Sequence, residues 1–360
     1  MFTWNGINIK TIALEKGIKI NDIAKFLNIS RQTVNEWING QVPKGTHLVN
    51  LCKLLQISPE ELFTEDKKYA NLVPLHRKRK TAKVNSAMQE EAKNIINEYI
   101  HFFKNQNKSF IVRKLQIYEK TVEQVKSIAQ QLRELTNIAN SSPFDYENTF
   151  LLMKKLGIFI IFRKFPEKIK SYAFYANIED HRVVFVNTST NVLDLIFPIL
   201  HEVVHVISGL NEESEEEELF CDEVASYVQF PEEYVFKVKN LLQATNNDGA
   251  KIKLLKEFSS QYKHSLFGIV KRLNKINNNY NNLKIGGADT KLKKQFFTIG
   301  EILFSNDDSY NFIKKYENLS PLFIDAIKAQ IDKISDGKLA ELLGLDSSLD
   351  AKQLRKYLKP

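Results

Sequence analysis

With 360 residues, 43% of them hydrophobic, the chain has material for two or three packed domains. No run approaches eighteen consecutive apolar residues, which argues against a membrane span. The opening "MFTWNGINIK" lacks the basic start and apolar run of a secretion signal. Cys52 and Cys221 are too few for a disulfide framework and fit a reducing cytoplasm, and a formal net charge of +8 permits contact with a polyanion without naming one.

Residues 1–65 read as an all-α unit of short helices. "GINIKTIALEKG" carries Ile9, Ile12 and Ala13 on one face and stops at Gly17. "INDIAKFLNIS" follows, with Ile23, Ala24 and Leu27 inward and Asn21 as the expected N-cap. In "SRQTVNEWING", Ser30 is the cap, Val34 with Trp37 or Ile38 forms the buried side, and Asn39-Gly40 ends the helix. Further short helices are expected at 45–55 and 58–63, the second opened by Ser58-Pro59. Two helices joined by a turn around "LNIS" make a helix-turn-helix whose second helix would enter the major groove of DNA. Arg31 can pair with guanine, and Gln32 or Asn35 with adenine, through two hydrogen bonds each.

The stretch "INDIAKFLNISRQTVNEWINGQVPKGTHLVNLCKLLQISPEEL" resembles the lambda-repressor-like (XRE, Cro/cI) DNA-binding family. That resemblance implies a double-stranded DNA operator as partner. Ser30, Arg31, Gln32, Thr33 and Asn35 would line the interface and Lys44 would be a phosphate contact. Ile38 departs from the family, where Glu often precedes Asn-Gly.

Residues 66–119 read as a linker and a connector helix. The basic cluster Arg77, Lys78, Arg79 and Lys80 fits a solvated linker better than a second DNA contact. An amphipathic helix is expected over 86–104, with Ala92, Ile95, Ile96, Tyr99 and Phe103 inward. His76 and His101 stand alone and carry no ligand pattern. Two more helices, "VEQVKSIAQQLRELTNI" and "YENTFLLMKKLG", precede a β-branched and aromatic strand, "IFIIFRKF". "SYAFYANI" and "RVVFVNT" form a hairpin with Asp180 and His181 at its tip.

A helix then starts at Thr190 or Asn191, with Pro198 marking a kink or its true start, and it carries "FPILHEVVHVIS". Residues four apart share a helical face, so His201 and His205 can direct both imidazoles at one ion. Glu202 lies beside them, placed to reach a water at that ion without being a ligand, which is the logic of H-E-x-x-H. The flanks are apolar, and polar groups buried there cost several kcal/mol unless something satisfies them. A third ligand is expected from the helix starting at Glu217, whose inward residues are Cys221, Val224, Ala225 and Val228. Glu218 and Asp222 share a face and suit a ligand and an orienting carboxylate, with Glu217 or Glu223 as alternatives.

The combination "LGIFIIF", "VVFVN", "HEVVH" and "ELFCDEVASYVQFP" resembles the ImmA/IrrE metallopeptidase family over about residues 120–275. The resemblance implies a small α+β zincin-like core within a mainly α chain. It makes His201, His205 and Glu218 the metal ligands, Asp222 the orienting carboxylate and Glu202 the catalytic base. Cys221 stands where the family usually has Ala. Zinc is the expected ion and manganese suits the same donors. Tyr172, Tyr175, Tyr227 and His264 are candidate oxyanion donors.

The peptidase-like region is expected to span 120–276, ending in two helices over 249–276. Residues 277–360 read as a helical region with no evident chemistry and leave room for a homodimer. The resemblance implies a cytoplasmic DNA-binding regulator fused to a zinc endopeptidase. It would cleave a lambda-repressor-like regulator or antitoxin in a stress or mobile-element response. The competing expectation is a regulator, or antitoxin, that senses metal or a ligand without proteolysis.

Overall fold

The structure, a computed structural model, describes residues 2–4, 6–65, 86–106, 120–208, 215–276, 278–305 and 308–359. The basic cluster at 77–80 and His76 lie outside the described residues. The chain forms two compact units, residues 1–70 and 71–360.

The first unit holds α1 (Ile7–Glu15), α2 (Ile20–Phe26), α3 (Arg31–Ile38) and α4 (Thr46–Leu55), followed by a single 3₁₀ turn at Pro59–Leu62. Ile9, Ala13, Ile23, Val34, Trp37, Leu51, Leu55 and Leu62 make its core. The turn between α2 and α3 works because Asn28 takes a left-handed conformation, φ 52°, that asparagine tolerates. Two expectations are corrected. The unit is not purely helical: β1 (Phe2–Trp4) pairs antiparallel with β2 (Phe63–Glu65). Strands of three residues are too short to show a period. The N-cap of α2 is Lys19, not Asn21; Asp22 anchors that end by accepting the Lys19 N–H.

The second unit begins with α5 (Ser86–Lys104), α6 (Val122–Glu134) and α7 (Tyr146–Lys155). Thr121 and Asp145 cap α6 and α7 by accepting the N–H groups of Gln124 and Asn148. A three-stranded sheet follows, of order β3 (Phe159–Arg163), β5 (His181–Asn187), β4 (Ala173–Ile178). β3 runs parallel to β5 and β4 antiparallel to it. The hairpin tip is Glu179-Asp180, both with positive φ. His181 is not at the tip. It opens β5, is buried, and packs against the rings of Phe103 and Phe159.

α8 (Val192–Ser208) crosses beneath β4 and is buried along almost its whole length. Asn191 caps it by accepting the Leu193 N–H, and Pro198 sits inside the helix rather than at its start. α9 (Glu215–Gln229) packs on α8 and α6. α10 (Glu232–Gln243), α11 (Asp248–Gln261) and α12 (Leu266–Ile276) complete this part.

Residues beyond 277 form α13 (Gly286–Lys293), α14 (Ile299–Leu303), α15 (Ser309–Leu319), α16 (Pro321–Gln330), α17 (Asp336–Leu343) and α18 (Ser348–Leu358). They are knit into the same unit. α16 and α17 pack on β3, and Ser320 donates to the Ile160 carbonyl. The Thr188 carbonyl accepts from Gly300 at 2.8 Å, and Asn191 donates to the carbonyls of Lys293 and Phe296. The loop that launches α8 is thus held by the C-terminal helices.

Candidate functional site

The three residues of the H-E-x-x-H motif are all buried: His201 is 1% exposed, Glu202 2% and His205 4%. One helical turn brings the two imidazoles together, with Nε2 atoms 3.0 Å apart. Glu218 on α9 bridges them, its two carboxylate oxygens 3.3 Å from His201 Nε2 and 3.0 Å from His205 Nε2. Donor atoms of His201, His205 and Glu218 lie within 4.8 Å of one another.

The opposite edges of the imidazoles are also occupied. Asp222 Oδ1 is 3.0 Å from His201 Nδ1, and Lys271 of α12 stands 3.5 Å from the other Asp222 oxygen. A carboxylate beside Nδ1 holds a proton there and leaves the Nε2 lone pair facing Glu218. Of the two alternatives to Glu218, Glu223 pairs with Lys275 instead. Glu217 is buried behind His205, 3.5 Å from its Nδ1.

Electrostatics define what this cluster lacks. Burial opposes a charged His201, but hydrogen bonds to Asp222 and Glu218 outweigh it and lift its pKa to about 9. Burial likewise works against the Glu218 carboxylate. Hydrogen bonds from His201 and His205 prevail and hold it far below the usual range. Burial pushes Glu202 up to about 7, against the pull of both histidines. Several carboxylates converging on two imidazoles call for positive charge, as a proton or as a divalent cation. Two imidazole nitrogens and one carboxylate fit a cation, and zinc and manganese equally.

Glu202 points toward the sheet. The Tyr175 backbone N–H faces its carboxylate and favours the charged form, while its Oε2 is buried without a hydrogen-bond partner. Among the oxyanion candidates, Tyr175 is the one whose phenol feels the Glu202 charge; burial, with that charge, raises it to about 12. His264 is ruled out. Its Nε2 meets the Tyr234 hydroxyl at 2.7 Å and its Nδ1 meets Ser259, inside a fully buried packing cluster. Tyr227 lies 3.6 Å beneath the Arg272 guanidinium, and the Tyr172 carbonyl accepts from Asn187.

In the first unit, α3 turns Arg31, Gln32 and Asn35 outward while Val34 and Trp37 anchor the other face. Ser30 caps the helix, its Oγ accepting the Thr33 N–H at 3.0 Å and lying 2.9 Å from the Thr33 hydroxyl. Lys44 is exposed in the loop beyond. Residues 8–68 match the Cro/C1-type HTH DNA-binding domain. None of the curated proteins matches the chain. The HTH match supports a DNA-binding regulator. On its reading helix, Gln32 also reaches Glu36, an exposed acid that the base-pairing pattern does not single out. No described helix is long and apolar enough to cross a membrane.

Proposed function

We propose that the chain is a DNA-binding regulator whose second unit is a zinc-dependent endopeptidase. The observation that carries this is the convergence of His201, His205 and Glu218 beside the buried Glu202 carboxylate. Here His201, His205 and Glu218 would hold the cation, and manganese suits the same donors as zinc. When bound, such a cation supplies Lewis-acid chemistry, polarising a carbonyl and activating water.

The chain's own groups do the rest. Asp222 fixes the His201 tautomer. The Tyr175 N–H aims the Glu202 carboxylate, which takes a proton from water and returns it to the leaving amine. Tyr175 is the phenol best placed to face a developing oxyanion. β4 is an outer strand, and the two-residue turn pairs Ile178 with His181. By that register the main-chain groups of Tyr175 and Asn177 point away from β5; with the Tyr175 N–H turned to Glu202, the Tyr175 carbonyl and the Asn177 N–H and carbonyl are the groups to which an extended peptide adds as a strand. Glu202 meets the sheet at this edge.

The substrate we propose is a lambda-repressor-like regulator or antitoxin, cut in a stress or mobile-element response, in the cytoplasm. The test is to incubate the zinc-loaded protein with lambda-repressor-like regulators from its own genome, with Glu202→Gln as control. Cleavage by wild type alone supports the reading. Zinc binding that changes DNA affinity, with no cleavage of any regulator, would replace it with a metal-sensing regulator.

A further inference from the structure

We infer that Glu217 is a positioning residue for His205, so that α9 supplies a carboxylate behind each of the two imidazoles as well as one between them. The inference rests on the cation-site reading above and extends it to a residue with no ligand role there.

α9 opens with four consecutive acids, Glu215 to Glu218, and the structure separates them sharply. Glu215 and Glu216 are exposed. Glu218 faces the Nε2 atoms. Glu217 is only 2% exposed, with Oε1 3.5 Å from His205 Nδ1. A carboxylate in so dry a position is costly unless a donor or a charge answers it. The Nδ1 edge of His205 stands at ion-pair distance to answer it. The Cys221 thiol also approaches that nitrogen, at 3.7 Å, but sulfur is a weak acceptor.

Glu217 faces the same ring atom of His205 that Asp222 faces on His201, but at ion-pair distance, 3.5 Å, rather than at the 3.0 Å hydrogen bond of Asp222. A carboxylate at Nδ1 keeps the proton on that nitrogen, leaves the Nε2 lone pair toward Glu218, and makes the imidazole a better donor to a cation. Each orienting acid also feels a lysine, Asp222 at 3.5 Å from Lys271 and Glu217 through the charge of Lys120, and Glu217 is the more deeply buried of the two.

The test measures zinc affinity of the full-length protein by competition with a chromophoric chelator, for wild type, Glu217→Gln, Glu217→Leu and the exposed control Glu216→Gln. Removing such an orienting group costs about 10- to 100-fold in metal affinity. Glu217→Leu should show that loss. Glu217→Gln keeps an oxygen acceptor and should fall between it and wild type, and Glu216→Gln should match wild type. Imidazole nitrogen NMR of the zinc-loaded proteins supplies a second readout: the His205 Nδ1–H should be protected from exchange in wild type and exposed in Glu217→Leu. If Glu217→Leu fails to fold, Glu217→Gln carries the test through the same two readouts. Wild-type affinity together with an unchanged His205 signal in either folded variant overturns the inference alone. A wild-type chain that binds no zinc overturns the cation reading and this inference with it.

Discussion

The Nε2 atoms of His201 and His205 face each other at 3.0 Å across the Glu218 carboxylate. Two lone pairs at that separation repel unless a proton or a cation lies between them and the acid. Replacing both with alanine should therefore abolish zinc binding measured as metal per chain by elemental analysis. Adding a chelator to the zinc-loaded wild type should lower its melting temperature. At a free zinc concentration 100-fold above the dissociation constant, the linkage is worth about 2.7 kcal/mol. A double variant that keeps one zinc per chain, or a wild type indifferent to chelator, would remove the cluster from consideration as a metal site.

The HTH unit can be watched separately, because both tryptophans, Trp4 and Trp37, belong to it. Ser30→Ala removes the acceptor for the Thr33 N–H and should destabilise the unit by about 1 kcal/mol, read by tryptophan fluorescence in urea. Arg31→Ala should leave that transition in place and weaken operator binding by about 1–3 kcal/mol if Arg31 pairs with a base. Lys44→Ala should weaken all sequences alike and flatten the salt dependence by about one unit of slope. Equal losses on operator and random DNA for Arg31→Ala would make it a phosphate contact instead.

Residues that repeat at a helix period are legible in the amino-acid sequence itself. His201 and His205 share a face by spacing alone, and α3 presents its outward residues between buried Val34 and Trp37 as the pattern requires. Spacing cannot separate the members of a run of identical acids. Glu217 and Glu218 differ only because α9 turns one behind His205 and the other between the rings. The same holds for His181, drawn into an aromatic cluster by strand register, and for β1 and β2, which exist only because the two ends of the unit meet. The grip of residues 293–300 on the α8 loop is a tertiary fact with no local signature.

That grip predicts a sensitive glycine. A Cβ at Gly300 would come 2.8 Å from the Thr188 carbonyl oxygen, the same atom that accepts the Gly300 N–H. Alanine gains about 1 kcal/mol in helix propensity at such a position. Relieving the contact would move backbone against backbone and break that hydrogen bond, with overpacking costs of about 1–3 kcal/mol. The clash wins, so Gly300→Ala should lower the main thermal transition seen by circular dichroism and leave the tryptophan-detected transition unchanged. An unchanged or higher main transition would mean the loop yields at little cost.

Acid sensitivity should trace in part to His264. It is fully buried between the Tyr234 hydroxyl, Ser259 and the Ser265 carbonyl, with the Phe230 ring edge-on at 5.1 Å. Burial lowers its pKa from 6.5 to about 4, only partly offset by the Ser265 hydrogen bond. The depressed value fixes the sign. Between pH 6.5 and about 4 the unfolded chain binds a proton that the folded chain refuses, so stability falls as the solution is acidified through that window. A shift of this size corresponds to a loss on the order of 3 kcal/mol by the lower end of the window. His264→Phe, which cannot titrate, should be less stable than wild type at pH 7 because it forfeits the bond to Tyr234. Its urea midpoint should then decline less between pH 7 and 4.5 than the wild-type midpoint does. Parallel declines in the two proteins would assign the acid sensitivity to other groups.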